Sequence, residues 1–378
     1  MLTTQLIAIA LIPMAAAAAP ADQTNTAQPA GSPVSRIYVG SAKAIFLVNF
    51  DPATGRLEDR GVVCETEDPS FLALHPTMPV LYAVGEAKEG FVASFRMDAK
   101  SGLLSLLNRQ PSKGGGPCHV SVAPSGRHVA VANYGSGSVA LLPVLDDGRL
   151  GEASGFFQHQ GSSANPQRQT GPHAHGVTFD IAGRFLFAPD LGIDKVCAYR
   201  YDENARELPP NDPAFASLAP GAGPRHIAFH PSGRFAYVVN EMGNTVSAFT
   251  YDAEKGRLAP LQITGTLPES FKGDSTTAEI VAHPSGHFLY ASNRGHDSIT
   301  TFSVNPETGT LTRAGDTPTG GRTPRSFAVD PSGKYLLAAN QGSGDIILFK
   351  IDPNNGALQS ANQRVRVPSP ACVIFARP

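Results

Sequence analysis

The feature that most constrains this chain is a short unit, clearest at Gly223 to Glu241 (GPRHIAFHPSGRFAYVVNE), that is written again through most of its length. In it an apolar run, Arg225 to Phe229, meets a tight turn at His230-Pro231-Ser232-Gly233 and then a second apolar run, Phe235 to Asn240. Proline presets φ at the first central position of such a turn and glycine accepts the left-handed residue that follows, so the unit reads as a β-hairpin. Further copies begin at Asp68, Gly116, Gly171, Thr277 and Thr323. Each is followed by a third apolar segment, such as Thr245 to Tyr251, and by a D-x-x-x-G-x-L type turn into a fourth. Measured from Pro69, Pro117, Pro172, Pro224, Ala278 and Pro324, the steps are 48, 55, 52, 54 and 46 residues. Four short strands at a period of roughly 40 to 50 residues are the signature of a β-propeller.

The two ends of the chain complete the count. Arg36 to Gly40 and Ala44 to Phe50, followed by DPATGRL, supply the second, third and fourth strands of a unit that lacks its first. Ser369 to Ala376 (SPACVIFA) is a first strand without the rest, and its Pro370 lies 46 residues after Pro324. The expectation is an all-β, seven-bladed β-propeller over residues 36–378, four antiparallel strands per blade, the seventh blade closed by the N- and C-terminal strands. Closure of this kind leaves no long exposed sheet edge.

Composition narrows the partners. A formal net charge of −2 argues against nucleic acid or an anionic membrane as the main target, while leaving small anions open. Residues 1–21 hold an apolar core and an Ala-x-Ala ending, the pattern of a signal peptide, although no basic residue precedes the core. Residues 22–35 read as a disordered polar linker. A periplasmic or secreted monomer without a membrane span after cleavage is therefore expected, or a cytoplasmic one if the leader is not functional. Cys64, Cys118, Cys197 and Cys372 include no CxxC; small buried strand residues are the favoured reading, one disulfide the other.

Strand order decides where function can sit. The residue after each repeat proline, the end of each second strand and the fourth strand all converge on one mouth of the channel. The first set is Ser70, Cys118, His173, Arg225, Glu279, Arg325 and Ala371; the second is Ser41, Glu86, Tyr134, Asp190, Glu241, Arg294 and Gln341. That is a high density of ionisable groups for a chain only 16% charged. Opposite charges sharing a channel shift each other's pKa and mark candidate catalytic groups. His75, His230 and His283 belong to hairpin turns at the opposite mouth, joined there by His128 and His287, and read as structural. His119 and His226 alternate away from the channel-directed residues before them and read as packing or backbone-bonding groups. His173 and His175 stay as candidates, two apart on one strand face, with His159 and His296. Two long connections, Gly155 to Thr170 and Thr264 to Thr276, lie at the functional mouth; the first offers Arg168 and Gln169 as wall or lid residues.

Two arginines, a glutamate and a histidine around a channel suit an anionic substrate with a lactone or ester carbonyl. Arg225 and Arg294 can hold a carboxylate or phosphate, or stabilise an oxyanion, and Glu241 or His173 can move a proton. Inter-blade ion pairing is the bland alternative. No G-x-S-x-G elbow is present. His173, His175 and Asp190 are a weaker metal-binding reading, and calcium would need a rim richer in Asp and Asn.

Three strings, HQGSSANPQRQTGPHAH (159 to 175), GPRHIAFHPSGRFAYVVNE (223 to 241) and HPSGHFLYASNRGHDSI (283 to 299), resemble the bacterial 6-phosphogluconolactonase family of seven-bladed propellers, which also includes the fungal carboxymuconate lactonising enzymes. The resemblance covers about residues 36 to 378. It implies lactone hydrolysis without metal or other cofactor, with catalytic His173, Arg225, Glu241 and Arg294, the histidine exchangeable with His175. His175, Arg168, Gln169, Glu279 and Arg325 are the expected substrate contacts. The chain departs from the family at AVGE (83 to 86), where Asn-Glu is usual, and in its leader, which points to a lactone outside the cytoplasm. Two other outcomes are kept: a non-enzymatic periplasmic propeller similar to YVTN-repeat proteins, suggested by YVVN (237 to 240) and YASN (290 to 293), and a muconate cycloisomerase.

Overall fold

A computed structural model describes residues 34–204 and 207–376. The expected leader and residues 22–33 of the expected linker lie outside the described residues, and the first strand begins at Ser35, one residue before the expected domain boundary. Twenty-eight strands form seven four-stranded antiparallel sheets. Blades 1 to 6 run in chain order from Leu72, and the last four-residue strand, Cys372–Phe375, pairs with Ser35–Gly40 to complete blade 7. The ring is therefore closed by strand pairing between the two ends of the chain.

Sequence pattern explains each layer of a blade. Second strands such as Phe235–Asn240 and Tyr335–Asn340 are buried along their whole length, because each is flanked by two strands and covered by two neighbouring blades. Outer strands such as Arg56–Glu65 alternate toward solvent. Seven apolar clusters result, one at each junction; that between blades 4 and 5 joins Tyr237, Val239 and Val246 to Leu289, Ala291 and Phe302.

Polar stitches repeat with the same period. The second-strand tyrosines Tyr38, Tyr82, Tyr237 and Tyr290 donate to the carbonyls of Gly102, Gly148, Gly309 and Gly356, each in the third-to-fourth-strand turn of the next blade. At the opposite mouth His75, His230 and His283 bond through Nε2 to the carbonyls of Gly126, Gly286 and Gly333 of the following blade. The turn histidines are thus structural. At Gly85, where the usual asparagine is missing, the ring of Phe91 fills the space: a Cβ there would come within 2.2 Å of it.

Two departures from regular strands matter for the mouth. In the first strands of blades 2, 4, 5 and 6 the register slips beside Cys118, Arg225, Glu279 and Arg325, a β-bulge at the same repeat position. In blade 3 the first strand is reduced to Thr178–Phe179, so His173 and His175 precede it rather than sharing a strand face.

Candidate active site

Glu241, buried at the end of the second strand of blade 4, is the hub of the mouth. Its Oε2 receives Arg294 Nη2 at 2.9 Å and Arg225 Nε at 3.2 Å, its Oε1 receives Arg168 Nη2 at 3.0 Å, and His175 Nε2 lies 3.7 Å away. Three guanidinium groups from three different parts of the ring therefore share one carboxylate. Burial alone would raise the Glu241 pKa, but Arg294, Arg225 and Arg168 outweigh it and hold the group down to about 2. Arg225 is spent from both ends, donating also to the Ala278 carbonyl at 2.7 Å, and burial pulls it down to about 10. The three differ in access: side-chain exposure is 3% for Arg225, 17% for Arg294 and 41% for Arg168.

His173 stands beside this clamp, one aromatic ring away. Its Nδ1 lies 2.9 Å from the Tyr134 carbonyl, which can only accept, so in the neutral ring the proton is on Nδ1 and the lone pair on Nε2. The ring stacks on Tyr134 at 4.5 Å between centroids, and the Tyr134 hydroxyl accepts from Arg168 at 3.0 Å. The backbone is held by Asp190, whose Oδ1 takes the N–H of His173 at 2.7 Å and of Gly192 at 2.9 Å. Only glycine fits at 192, because a Cβ would sit 2.0 Å from the Gly171 carbonyl. The other Asp190 oxygen receives the buried His159 ring at 2.6 Å; burial pulls His159 down, yet Asp190 and the adjacent Cys197 push it up to about 10.

The remaining candidates divide. His175 is buried against Cys118 Sγ at 3.6 Å and kept neutral, first by burial and then by Arg225. Arg325 is half-buried at the mouth with Glu86 at 3.9 Å. Glu279, expected at the rim, is buried with His226 Nδ1 at 2.8 Å, and burial raises its pKa. Gln169 is fully buried, its amide taken up by the Asn165 N–H and the Leu191 carbonyl, so it shapes the loop from within. His173, His175 and Asp190, the alternative metal set, are turned to three different partners; among the described residues no three His, Cys, Asp or Glu are grouped to hold an ion. All four cysteines are free, and burial pushes the Cys118 thiol up to about 12.

His119 and His226 depart from the expected outward alternation. Their rings meet at 4.7 Å and both touch Phe71 of blade 1, forming an aromatic plug across the channel. The bulges explain this: a residue inserted opposite one partner lets two successive side chains turn the same way. Tyr134 was visible among the second-strand ends but carries no charge to single it out, and Asp190 stood out only as a metal candidate. Both are organising groups of this mouth.

The family model for the seven-bladed β-propeller lactonases matches residues 31–375, and the chain belongs to that family. It is 36% identical over 289 residues to a 6-phosphogluconolactonase of Bacillus subtilis, covering 76% of this chain and 81% of that one. A 6-phosphogluconolactonase of Formosa agariphila is 35% identical over 305 residues, with 77% and 85% covered. Among solved structures, the periplasmic gluconolactonase of Pseudomonas aeruginosa superposes with a TM-score of 0.86 at 35% identity, over 91% of this chain and 99% of that one.

Proposed function

We propose that this chain hydrolyses a sugar-type lactone carrying an anionic group, such as a phosphorylated aldonolactone, at the Glu241 mouth without a metal ion. The observation that carries the reading is the convergence of Arg168, Arg225 and Arg294 on one carboxylate, beside a histidine whose tautomer is set by a backbone carbonyl. Water attacks the lactone carbonyl carbon while His173 Nε2 takes its proton, and the carbonyl oxygen becomes an oxyanion. Arg294 faces that charge, its orientation kept by Glu241 and by the Thr277 carbonyl at 2.8 Å. Collapse of the tetrahedral intermediate breaks the ring C–O bond, and the departing alkoxide recovers the proton from His173, leaving the free sugar acid. Arg168 and Arg325, the more open cations, receive the anionic substituent. Glu241, held so far below the usual carboxylate range, serves to orient the arginines rather than to take a proton.

The leader-like pattern of residues 1–21 and the periplasmic Pseudomonas relative support an exported enzyme acting on a lactone outside the cytoplasm. The test is purified protein assayed on phosphorylated and unphosphorylated aldonolactones, with and without chelator. Expected is ring opening of the phosphorylated lactone, unchanged by chelator. Arg294→Ala should lower kcat by roughly 10²- to 10³-fold. A wild-type protein that opens neither lactone overturns the reading.

A further inference from the structure

Tyr134 is where the two halves of the mouth meet. It follows the second strand of blade 2, His128–Asn133, and its N–H donates to the Gly116 carbonyl at 2.9 Å, which fixes the peptide that carries it. Its own carbonyl accepts His173 Nδ1–H, its ring covers the His173 face, and its edge meets His175 at 5.1 Å. Its hydroxyl accepts from Arg168 Nη2, the same nitrogen that reaches Glu241 Oε1. An anion entering the mouth meets Arg168 first, as the most open of the three arginines on Glu241, and a bidentate grip requires that guanidinium to be presented edge-on. One residue therefore sets both the histidine ring and the cation that an anionic substituent reaches.

Resting on the lactonase reading above, we propose that Tyr134 is a positioning and specificity-determining residue. Its carbonyl and ring hold His173 in one tautomer and orientation, and its hydroxyl holds Arg168 ready for the substrate's anionic group. A tyrosine serving only as a packed wall would affect all substrates alike. The two functions separate chemically: Tyr134→Phe keeps the ring and carbonyl and loses the hydroxyl, whereas Tyr134→Leu loses the stacking face as well.

Both variants are assayed beside wild type on a phosphorylated aldonolactone and a neutral one, with kcat, KM and the pH profile of kcat measured for each. Tyr134→Phe should raise KM for the phosphorylated lactone about fivefold, the loss of roughly one hydrogen bond, and lower the ratio of its kcat/KM to that of the neutral lactone by a similar factor. Tyr134→Leu should in addition lower kcat about tenfold or more on both lactones and shift the acid limb of the profile, so that Phe restores what Leu loses. Equal effects of Tyr134→Phe on both lactones, or an unchanged KM for the phosphorylated substrate in that variant, overturn the proposal while the lactonase reading stands. If Tyr134→Leu does not fold, the split in Tyr134→Phe decides alone. A wild type that opens only the neutral lactone overturns the role in anion recognition, and one that opens neither overturns both readings.

Discussion

At the scale of single residues, the mouth is governed by charges that cannot be removed one at a time. Replacing Glu241 by Gln leaves three guanidinium groups facing one another, two of them largely buried. We expect a loss of about 3–5 kcal/mol in stability together with loss of lactonase activity, checked by urea denaturation beside kinetics. The titrating groups also set a pH window. His119, His175 and His226 are held well below their usual range, first by burial and then by neighbouring cationic or imidazole groups. They stay neutral in the fold but take protons in the unfolded chain, so stability falls as pH drops below the ordinary value of 6.5. Glu241 acts on the same side: its contribution is complete above 4.5 and is lost as pH falls through about 2. His159 acts oppositely, contributing fully below 6.5 and losing that contribution as pH rises through about 10. Stability should therefore peak near neutrality and fall on the acid side by up to about 1.4 kcal/mol per pH unit for each ring. Denaturation midpoints from pH 5 to 10 check this, and His159→Asn should flatten only the alkaline limb.

Among the elements, hairpin turns and bulges divide the labour between the two mouths. The turn histidines were legible as structural because their spacing to Pro-Ser-Gly puts them in a turn, and the geometry agrees: His230 ties blade 4 to the Gly286 carbonyl of blade 5 at 2.8 Å. His230→Ala should cost about 1–2 kcal/mol and leave kcat unchanged, read by thermal midpoint and steady-state kinetics. At the Glu241 mouth the alternation rule named the rim positions but not their side-chain directions. It sent His119 and His226 away from the channel, whereas they meet across it, and it placed Glu279 at the open rim although it is buried against His226. The bulge beside Arg225 leaves no mark that a period of two can detect. Similarly, the reduction of residues 171–177 to a single bridge, Ala174 to Asp190, leaves no mark in the alternation: it goes with the Asp190 carboxylate on the His173 N–H and with the close approach at Gly192, both distant in sequence from His173.

For the whole molecule, closure is the controlling event. The strand Cys372–Phe375 is the innermost strand of blade 7, its Val373 and Phe375 packing with Ile37 and Val39 of the opposite end. Deleting residues 370–378 should leave a three-stranded blade with an open edge. The expected outcome is loss of the elution peak given by the full chain and growth of aggregate on size-exclusion chromatography. What the sequence determined by itself was whatever repeats or alternates: seven sheets, their strand order, the shared ends of the chain, and the ring of positions from which Arg225, Glu241 and Arg294 arise, because periodicity and turn chemistry are local and survive in one dimension. What only the tertiary structure decided was who touches whom. Three arginines on one carboxylate, a tyrosine under His173 and an aspartate behind it are contacts between blades, and they depend on bulges, close glycine approaches and charge neutralisation that exist only once the circle is complete.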